Sequence, residues 1–240
     1  MKIAISFPPI INVLGQKAMV AQNRNVQYFS VPTYLLPITH AQAASLLKEK
    51  TEVIWDDGNA QLKTFDQWLK NLTEIAPDII VFESTTPVMK FMWKTINLVK
   101  ENIPNALIIL TGYHSMRKPE ESFDNSKVDI IILSNHVDFV LKNLVEELLE
   151  LKSLELNDLK TNGIAYKNKN KEIKNNKTFK KIENISNSAV IDRDLVNWKD
   201  YAYENGNFLQ TPGTYATSVI RDCTFGKCTF CRYNGPELSF

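Results

Sequence analysis

Ala106-Leu107-Ile108-Ile109-Leu110 leads into Thr111-Gly112-Tyr113-His114, and the reading of this stretch decides the fold. Its unbroken apolar run suits a strand buried on both faces of a parallel sheet. Just upstream, Met89 to Asn102 reads as a helix, with Pro87 placed just inside its start and Pro104 just after its end. Further back the same alternation recurs. Asp78-Ile79-Ile80-Val81-Phe82 is a strand, preceded by a helix marked by Phe65, Leu69, Leu72 and Ile75 that stops at Pro77. Glu52 to Asp56 is a strand closed by the turn pair Asp57-Gly58, and Ile38 to Lys50 is a helix with Ala41, Ala44 and Leu47 at helical spacing. Ile3 to Phe7 is the first strand, ended by Pro8-Pro9. Downstream, Val128 to Leu133 is another strand and Val137 to Leu151 a long amphipathic helix. Strands alternating with helices predict an α/β fold, a doubly wound parallel sheet.

Beyond this domain, Asn162 to Tyr166 and Glu172-Ile173 bracket a polar turn and predict a small β-hairpin. Phe179 to Asp200 has weak periodicity and reads as a linker, with a turn of helix near Asp194 to Trp198. Thr214 to Ile220 is a last β-like run. The expected division is an α/β domain over 1–155, hairpin and linker over 156–210, and a third unit from 211 to 240.

A net charge of +1 gives no strong pull toward nucleic acid or an anionic membrane. The basic stretch from Lys167 to Lys181 holds a single aromatic, Phe179, and reads as a solvated hairpin rather than a surface that tracks phosphates. No run of about 18 apolar residues exists to span a bilayer. The N-terminal apolar run is too short for a secretion signal, so a cytoplasmic location is expected. In that reducing compartment clustered cysteines act as ligands or catalysts rather than disulfides.

All three cysteines lie within Arg221-Asp222-Cys223-Thr224-Phe225-Gly226-Lys227-Cys228-Thr229-Phe230-Cys231, spaced Cys-x4-Cys-x2-Cys. An iron–sulfur cubane needs one ligand per iron, usually a thiolate. Cys223, Cys228 and Cys231 would cap three irons and leave the fourth open to an outside ligand. Gly226 lets the backbone pass close, and Arg221 and Lys227 offset the negative charge of thiolates and sulfides. Zinc is the competing reading, since Cys-x2-Cys pairs bind it too. A closed zinc site would need a fourth ligand, and His40, His114 and His136 all lie far upstream in the α/β region. Unligated structural cysteines are the plainer alternative.

This segment resembles the cluster loop of radical S-adenosylmethionine enzymes, in which an aromatic residue precedes the last cysteine. Phe230 matches that aromatic. The four-residue first gap, longer than the common three, is similar to the family's cobalamin-dependent branch. The upstream order also resembles that branch's Rossmann-like cobalamin-binding domain. Met1 to Pro9 resembles its first strand, Pro77 to Val81 its third, and Thr111-Gly112-Tyr113-His114 with Pro119-Glu120-Glu121 its Gly-rich loop and acidic helix start. Asn162 to Tyr166 resembles its hairpin. Ile191-Asp192-Arg193-Asp194-Leu195, with Trp198 and Tyr201, resembles the approach to its β/α barrel. Two features depart from the pattern: Ser134-Asn135-His136-Val137 replaces a Gly/Glu-rich turn, and no Asp-x-His-x-x-Gly sequence supplies a lower ligand to cobalt.

The resemblance implies a [4Fe–4S] cluster on Cys223, Cys228 and Cys231 that binds S-adenosylmethionine. Reductive cleavage then gives a 5′-deoxyadenosyl radical, and cobalamin assists methyl transfer or a related radical reaction such as cyclisation. It also implies an electron donor such as flavodoxin or ferredoxin, and a small-molecule or peptide substrate. Phe230, Ser84, Thr85, Gly112, His114 and His136 are the expected cofactor-binding residues. Glu83-Ser84-Thr85-Thr86 stands at a strand's C-terminal end, where doubly wound sheets bind ligands. Helix capping is the alternative for Ser84 to Thr86, and a hydrogen-bonded loop histidine the alternative for His114 and His136. A full barrel needs roughly 200 residues, so 211–240 reads as the start of a truncated barrel and the chain alone as incomplete for turnover. A non-catalytic cobalamin or nucleotide module, or a zinc-binding interaction protein, remains the alternative.

Overall fold

The structure, a computed structural model, describes residues 1–11, 18–20, 26–28, 35–176, 187–202 and 228–229. In chain order the elements are β1 (Lys2–Phe7), β2 (Ala18–Val20), β3 (Val26–Tyr28), α1 (Ile38–Leu47), β4 (Glu52–Asp57), α2 (Phe65–Ile75) and β5 (Ile79–Glu83). Then follow α3 (Met89–Asn102), β6 (Leu107–Thr111), α4 (Tyr113–Arg117), α5 (Pro119–Asn125), β7 (Ile130–Ile132), α6 (Val137–Leu151), β8 (Ile164–Lys167), β9 (Ile173–Asn176) and α7 (Trp198–Ala202). A 3-10 turn, Thr86–Val88, precedes α3.

Seven strands form one sheet in the order β4-β1-β5-β6-β7-β8-β9, while β2 and β3 pair separately. From β4 to β7 every pairing is parallel, with Ile3 opposite both Val53 and Ile79, and Ile79 opposite Leu107. The fold is therefore mixed α/β around a mostly parallel sheet. The hairpin read from the sequence as lying beyond the α/β domain instead continues this sheet. Its first strand, β8, runs antiparallel to β7, with Ile131 opposite Ala165. Local patterning announces a strand but not its distant partner, so this pairing was not visible in advance.

Side-chain alternation on the strands builds two cores. On one face Ile3, Ile5, Ile79, Val81, Ile109 and Ile130 pack against α1 and α6 through Ala41, Ala44, Val140, Leu141 and Leu144. On the other Ala4, Ile80, Phe82, Ile108 and Leu110 pack against Trp68 and Leu72 of α2 and Met92, Ile96 and Val99 of α3. Both faces are covered, which is why the strands carry near-continuous apolar runs.

Helix ends follow their local chemistry. Thr64 and Gln67 form a capping box at the start of α2, with Thr64 Oγ1 accepting from Gln67 N–H at 3.2 Å and Gln67 Oε1 accepting from Thr64 N–H at 2.9 Å. At the other end Ala76 adopts a left-handed conformation with φ 45° before Pro77. Thr64→Ala is expected to cost about 1 kcal/mol, read as a lower urea midpoint with an unchanged slope; no shift would mean that water replaces the cap at no cost.

Residues 187–202, read from the sequence as linker, pack onto the first core. Val196 is fully buried and Tyr201 nearly so. Asp192 N–H donates to Ser45 Oγ at 2.8 Å and the Asp192 carboxylate pairs with Lys48. Such contacts, 144 and 147 residues apart in sequence, leave no local periodicity to detect. They also explain α1, whose residues His40 to Ser45 are all buried. Sheet, α6 and this strap enclose it, and its alanines permit the close approach.

Candidate functional site

Counting only the parallel strands, chain order across the sheet is 2-1-3-4-5. This arrangement places ligands at the carboxyl edge, where the winding reverses between β1 and β5. At that edge β5 ends in Glu83, followed by Ser84 and Thr85; β6 ends in Thr111-Gly112; and β7 is followed by Ser134-Asn135.

Gly112 holds φ +107°, and a Cβ added there would lie 2.0 Å from the Ser84 carbonyl oxygen. The backbones after β5 and β6 are thus in direct contact, joined by Ser84 N–H donating to the Thr111 carbonyl at 3.1 Å. Ser84 is fully buried, yet its Oγ has no hydrogen-bond partner. An unsatisfied buried hydroxyl costs about 1–3 kcal/mol, so a ligand that bonds to it would recover stability the fold forgoes. Thr85 is also buried and precedes the 3-10 turn, but its side chain makes no capping hydrogen bond to it.

Beside this contact lies a notch of about 10 Å³, room for one water-sized group. Thr39, His40, Glu83, Gly112, Ser134 and Asn135 line it, together with the apolar Met116 and Val137. Glu83 belongs to the strand end Glu83-Ser84-Thr85-Thr86 that the sequence marks as a ligand edge, whereas His40 was not singled out as a site residue. His40 lies in the first turn of α1, with its ring edge-on to Phe7 at 5.6 Å. Its Nε2 lies 2.9 Å from Thr111 Oγ1 and its Nδ1 3.5 Å from Glu83 Oε2. The available signals were a lone carboxylate closing an apolar strand and a histidine inside an alanine-rich helix.

The other expected residues divide. Ser84, Thr85 and Gly112 gather at the carboxyl edge. His114 lies on the short helix α4 rather than in a loop and outside the notch lining, with Nδ1 3.2 Å from Thr86 Oγ1 and Nε2 3.3 Å from Glu121 Oε2. His136 is half-buried just before α6, its N–H donating to Ser134 Oγ at 3.0 Å, flanked by notch residues without lining the notch. Cys228 is half-buried; Cys223, Cys231, Phe230 and the β-like run from Thr214 to Ile220 lie outside the described residues. Among the described residues no group of three metal-ligating side chains converges, and no helix is long and apolar enough to cross a membrane.

A second polar cluster ties the strap to the same edge. Tyr201 Oη donates to Asp57 Oδ2 at 2.8 Å and accepts from Trp55 Nε1 at 2.9 Å. Asp57 Oδ1 accepts from the N–H groups of Asn59 and Ala60. Burial pushes the Asp57 carboxyl up to about 6 despite these hydrogen bonds. Burial, and then the neighbouring Asp57 charge, raises the Tyr201 phenol well above its ordinary value. Because Asp57 ends β4, the chain that leads on to the cysteines is anchored at the carboxyl edge.

No protein-family model matches the sequence. The chain is 26% identical over 195 residues to an uncharacterized methyltransferase of Pyrococcus horikoshii, covering 81% of this chain and 40% of that protein. It is also 26% identical over 182 residues to the anaerobic magnesium-protoporphyrin IX monomethyl ester cyclase of Cereibacter sphaeroides, covering 75% of this chain and 28% of that one. Among solved structures it resembles the cobalamin-dependent S-adenosylmethionine radical enzyme OxsB with aqua-cobalamin and S-adenosylmethionine bound. The TM-score is 0.60 at 19% identity, over 83% of this chain and 25% of OxsB. The likeness to OxsB is one of fold. The two relatives by sequence are thus named as a methyltransferase and a cyclase, and this chain spans less than half the length of each protein it matches.

Proposed function

We propose that this chain carries the cobalamin-binding α/β unit and the cluster loop of a cobalamin-dependent radical S-adenosylmethionine enzyme that performs methyl transfer or cyclisation. The observation that carries the reading is one of placement. The strap anchors the chain at the sheet's carboxyl edge, where Ser84 is left unsatisfied, and from there the sequence runs on to Cys-x4-Cys-x2-Cys.

The edge fits cobalamin as an amide-bearing ligand. Ser84 offers an unsatisfied buried hydroxyl beside Thr85, and the notch beside Gly112 has room for one water-sized group and none for the macrocycle. His40 and His114 already turn both ring nitrogens toward protein partners, so neither is placed as a lower ligand to cobalt. His136 borders the same edge. In the loop, Cys223, Cys228 and Cys231 would hold a [4Fe–4S] cluster with one iron left for S-adenosylmethionine, and Phe230 would pack beside it. Arg221 and Lys227 would balance the cluster's charge. When bound, these cofactors supply one-electron cleavage of the sulfonium and a cobalt centre for the radical chemistry, while the protein orients them. The reading implies a reducing cytoplasm, a one-electron donor such as flavodoxin or ferredoxin, and a small-molecule or peptide substrate.

Anaerobic reconstitution of the full chain with iron and sulfide tests the loop. A broad band near roughly 400 nm is expected for a thiolate-ligated cubane, and Cys223→Ala, Cys228→Ala and Cys231→Ala are each expected to remove most of it. A band that survives all three substitutions rules the loop out as the cluster site. Titration with hydroxocobalamin tests the α/β unit independently.

A further inference from the structure

The chains leaving β5 and β6 meet twice. The first meeting is the close approach of Gly112 to Ser84. The second lies two residues further along each chain, where His114 Nδ1 stands 3.2 Å from Thr86 Oγ1. A threonine hydroxyl both donates and accepts, so this hydrogen bond forms with either tautomer of the ring. Across the ring, Nε2 faces Glu121 Oε2 of α5 at 3.3 Å, within ion-pair distance but without hydrogen-bond alignment. Trp93 of α3 closes a third side. Its ring lies edge-on to the imidazole at 6.1 Å and is itself held by Nε1 donating to Ser122 Oγ at 3.2 Å.

What this ring holds in place is α4. That helix has five residues and no side-chain cap, too few to be stable by its own hydrogen bonds. It follows Gly112 directly and carries Met116 of the notch. Its inner side is fixed by Ser115, which is fully buried and whose Oγ donates to the Gly112 carbonyl at 3.0 Å. His114 instead stands at the rim of the second core, beside the partly buried Trp93. Removing its ring therefore costs little packing, yet it frees α4 to shift against the chain after β5. The ligand edge is the seam between those two chains, so a bound ligand feels such a shift before the fold does.

We propose that His114 is a positioning residue: bonded to Thr86, it sets the spacing of the chains that leave β5 and β6, and thereby the fit of the ligand bound between them. This rests on the cobalamin reading above, and it gives His114 an indirect part in binding rather than a contact with the cofactor.

The test is titration of the full-length chain with hydroxocobalamin, paired with urea unfolding. His114→Ala is expected to weaken binding about threefold to tenfold, the usual loss for one hydrogen bond, with a urea midpoint close to that of wild type. Thr86→Val is expected to do the same, and the double variant to lose no more than either single one, since both delete the same bond. His114→Asn places an amide near the position of Nδ1 and is expected to recover most of the loss. Wild-type affinity in folded His114→Ala and Thr86→Val overturns the proposal and leaves the cobalamin reading standing. Losses that add in the double variant also overturn it, because His114 then acts on the ligand independently of Thr86. A urea midpoint that falls in step with affinity overturns it as well, by making the ring a support of the whole fold. Thr86 is exposed, so Thr86→Val decides the matter if His114→Ala does not fold. If wild type itself fails to bind hydroxocobalamin, the cobalamin reading falls and this role with it.

Discussion

Gly112→Ala is expected to destabilise the α/β unit by about 3 kcal/mol or more, among the largest single-residue effects in the chain. Two causes add. At φ +107° an L side chain is strained whatever the surrounding space, and the added Cβ would fall 2.0 Å from the Ser84 carbonyl oxygen. The obstacle is backbone, held by the adjacent Ser84 N–H to Thr111 hydrogen bond and by the parallel register of β5 and β6. Relief would require the two strand ends to part where the ligand edge is formed. Gly58 makes a useful control. There a Cβ would meet Pro9 Cδ at 2.7 Å, but that is a side-chain atom and φ is not positive, so Gly58→Ala should cost less. Urea midpoints followed by circular dichroism decide the matter. A loss below about 1 kcal/mol at Gly112, within the range of an ordinary substitution, would mean that the contact between the chain after β5 and the chain after β6 is far looser than its geometry requires.

Stability is expected to fall as pH rises from about 4 to about 6, and Asp57 is the cause. Its carboxyl is raised from 3.8 to about 6, chiefly by burial. Between those values the folded protein holds a proton that the unfolded chain has released. The Asp57 contribution is therefore fully present below the unfolded value and is lost as pH climbs through the folded one. At about 1.4 kcal/mol per pKa unit the change amounts to about 3 kcal/mol. Asp192 and Glu146, whose carboxyls are lowered first by hydrogen bonds from Lys48 and Lys50, act in the opposite sense. Their stability appears above the unfolded value and fades as pH falls, but both are solvated enough for screening to keep it small. Asp57→Asn is expected to flatten the profile. Its Oδ1 can still accept from Asn59 and Ala60, while its amide turns toward Tyr201. Chemical denaturation at pH 4.5 and 7 compares the two proteins; an equal pH slope in both would remove Asp57 as the source.

The parallel sheet was legible because most of its strands are short apolar runs, several of them bounded by proline, glycine or a turn pair. Burial on both faces demands such runs, and Ile3 to Phe7 and Leu107 to Thr111 obey it. What escaped were pairings set by distant residues. The connection from β7 through α6 to β8 makes the two strands antiparallel without altering the composition of either. Tyr201 reaches Asp57 from 144 positions away. At the site, Ser84, Thr85 and Gly112 were found because strand ends in this fold class collect ligands. His40 was passed over because the helical pattern around it consists of alanines, and what defines it is a carboxylate 43 residues further along the chain. The cysteine spacing is legible without any structure, since short loops are how thiolates converge.

The strap and the hairpin close opposite ends of the same sheet, and this bears on where the chain can be cut. A piece ending at residue 155, the boundary suggested by the helix–strand rhythm, would lose both at once. On one side β7 would present its unpaired backbone to solvent, an invitation to strand exchange between molecules. On the other, α1 and Trp55 would be stripped of Val196 and Tyr201. A piece that keeps both sets of contacts thus runs on to residue 202, and the segment that leads toward the cysteines is also masonry of the sheet before it.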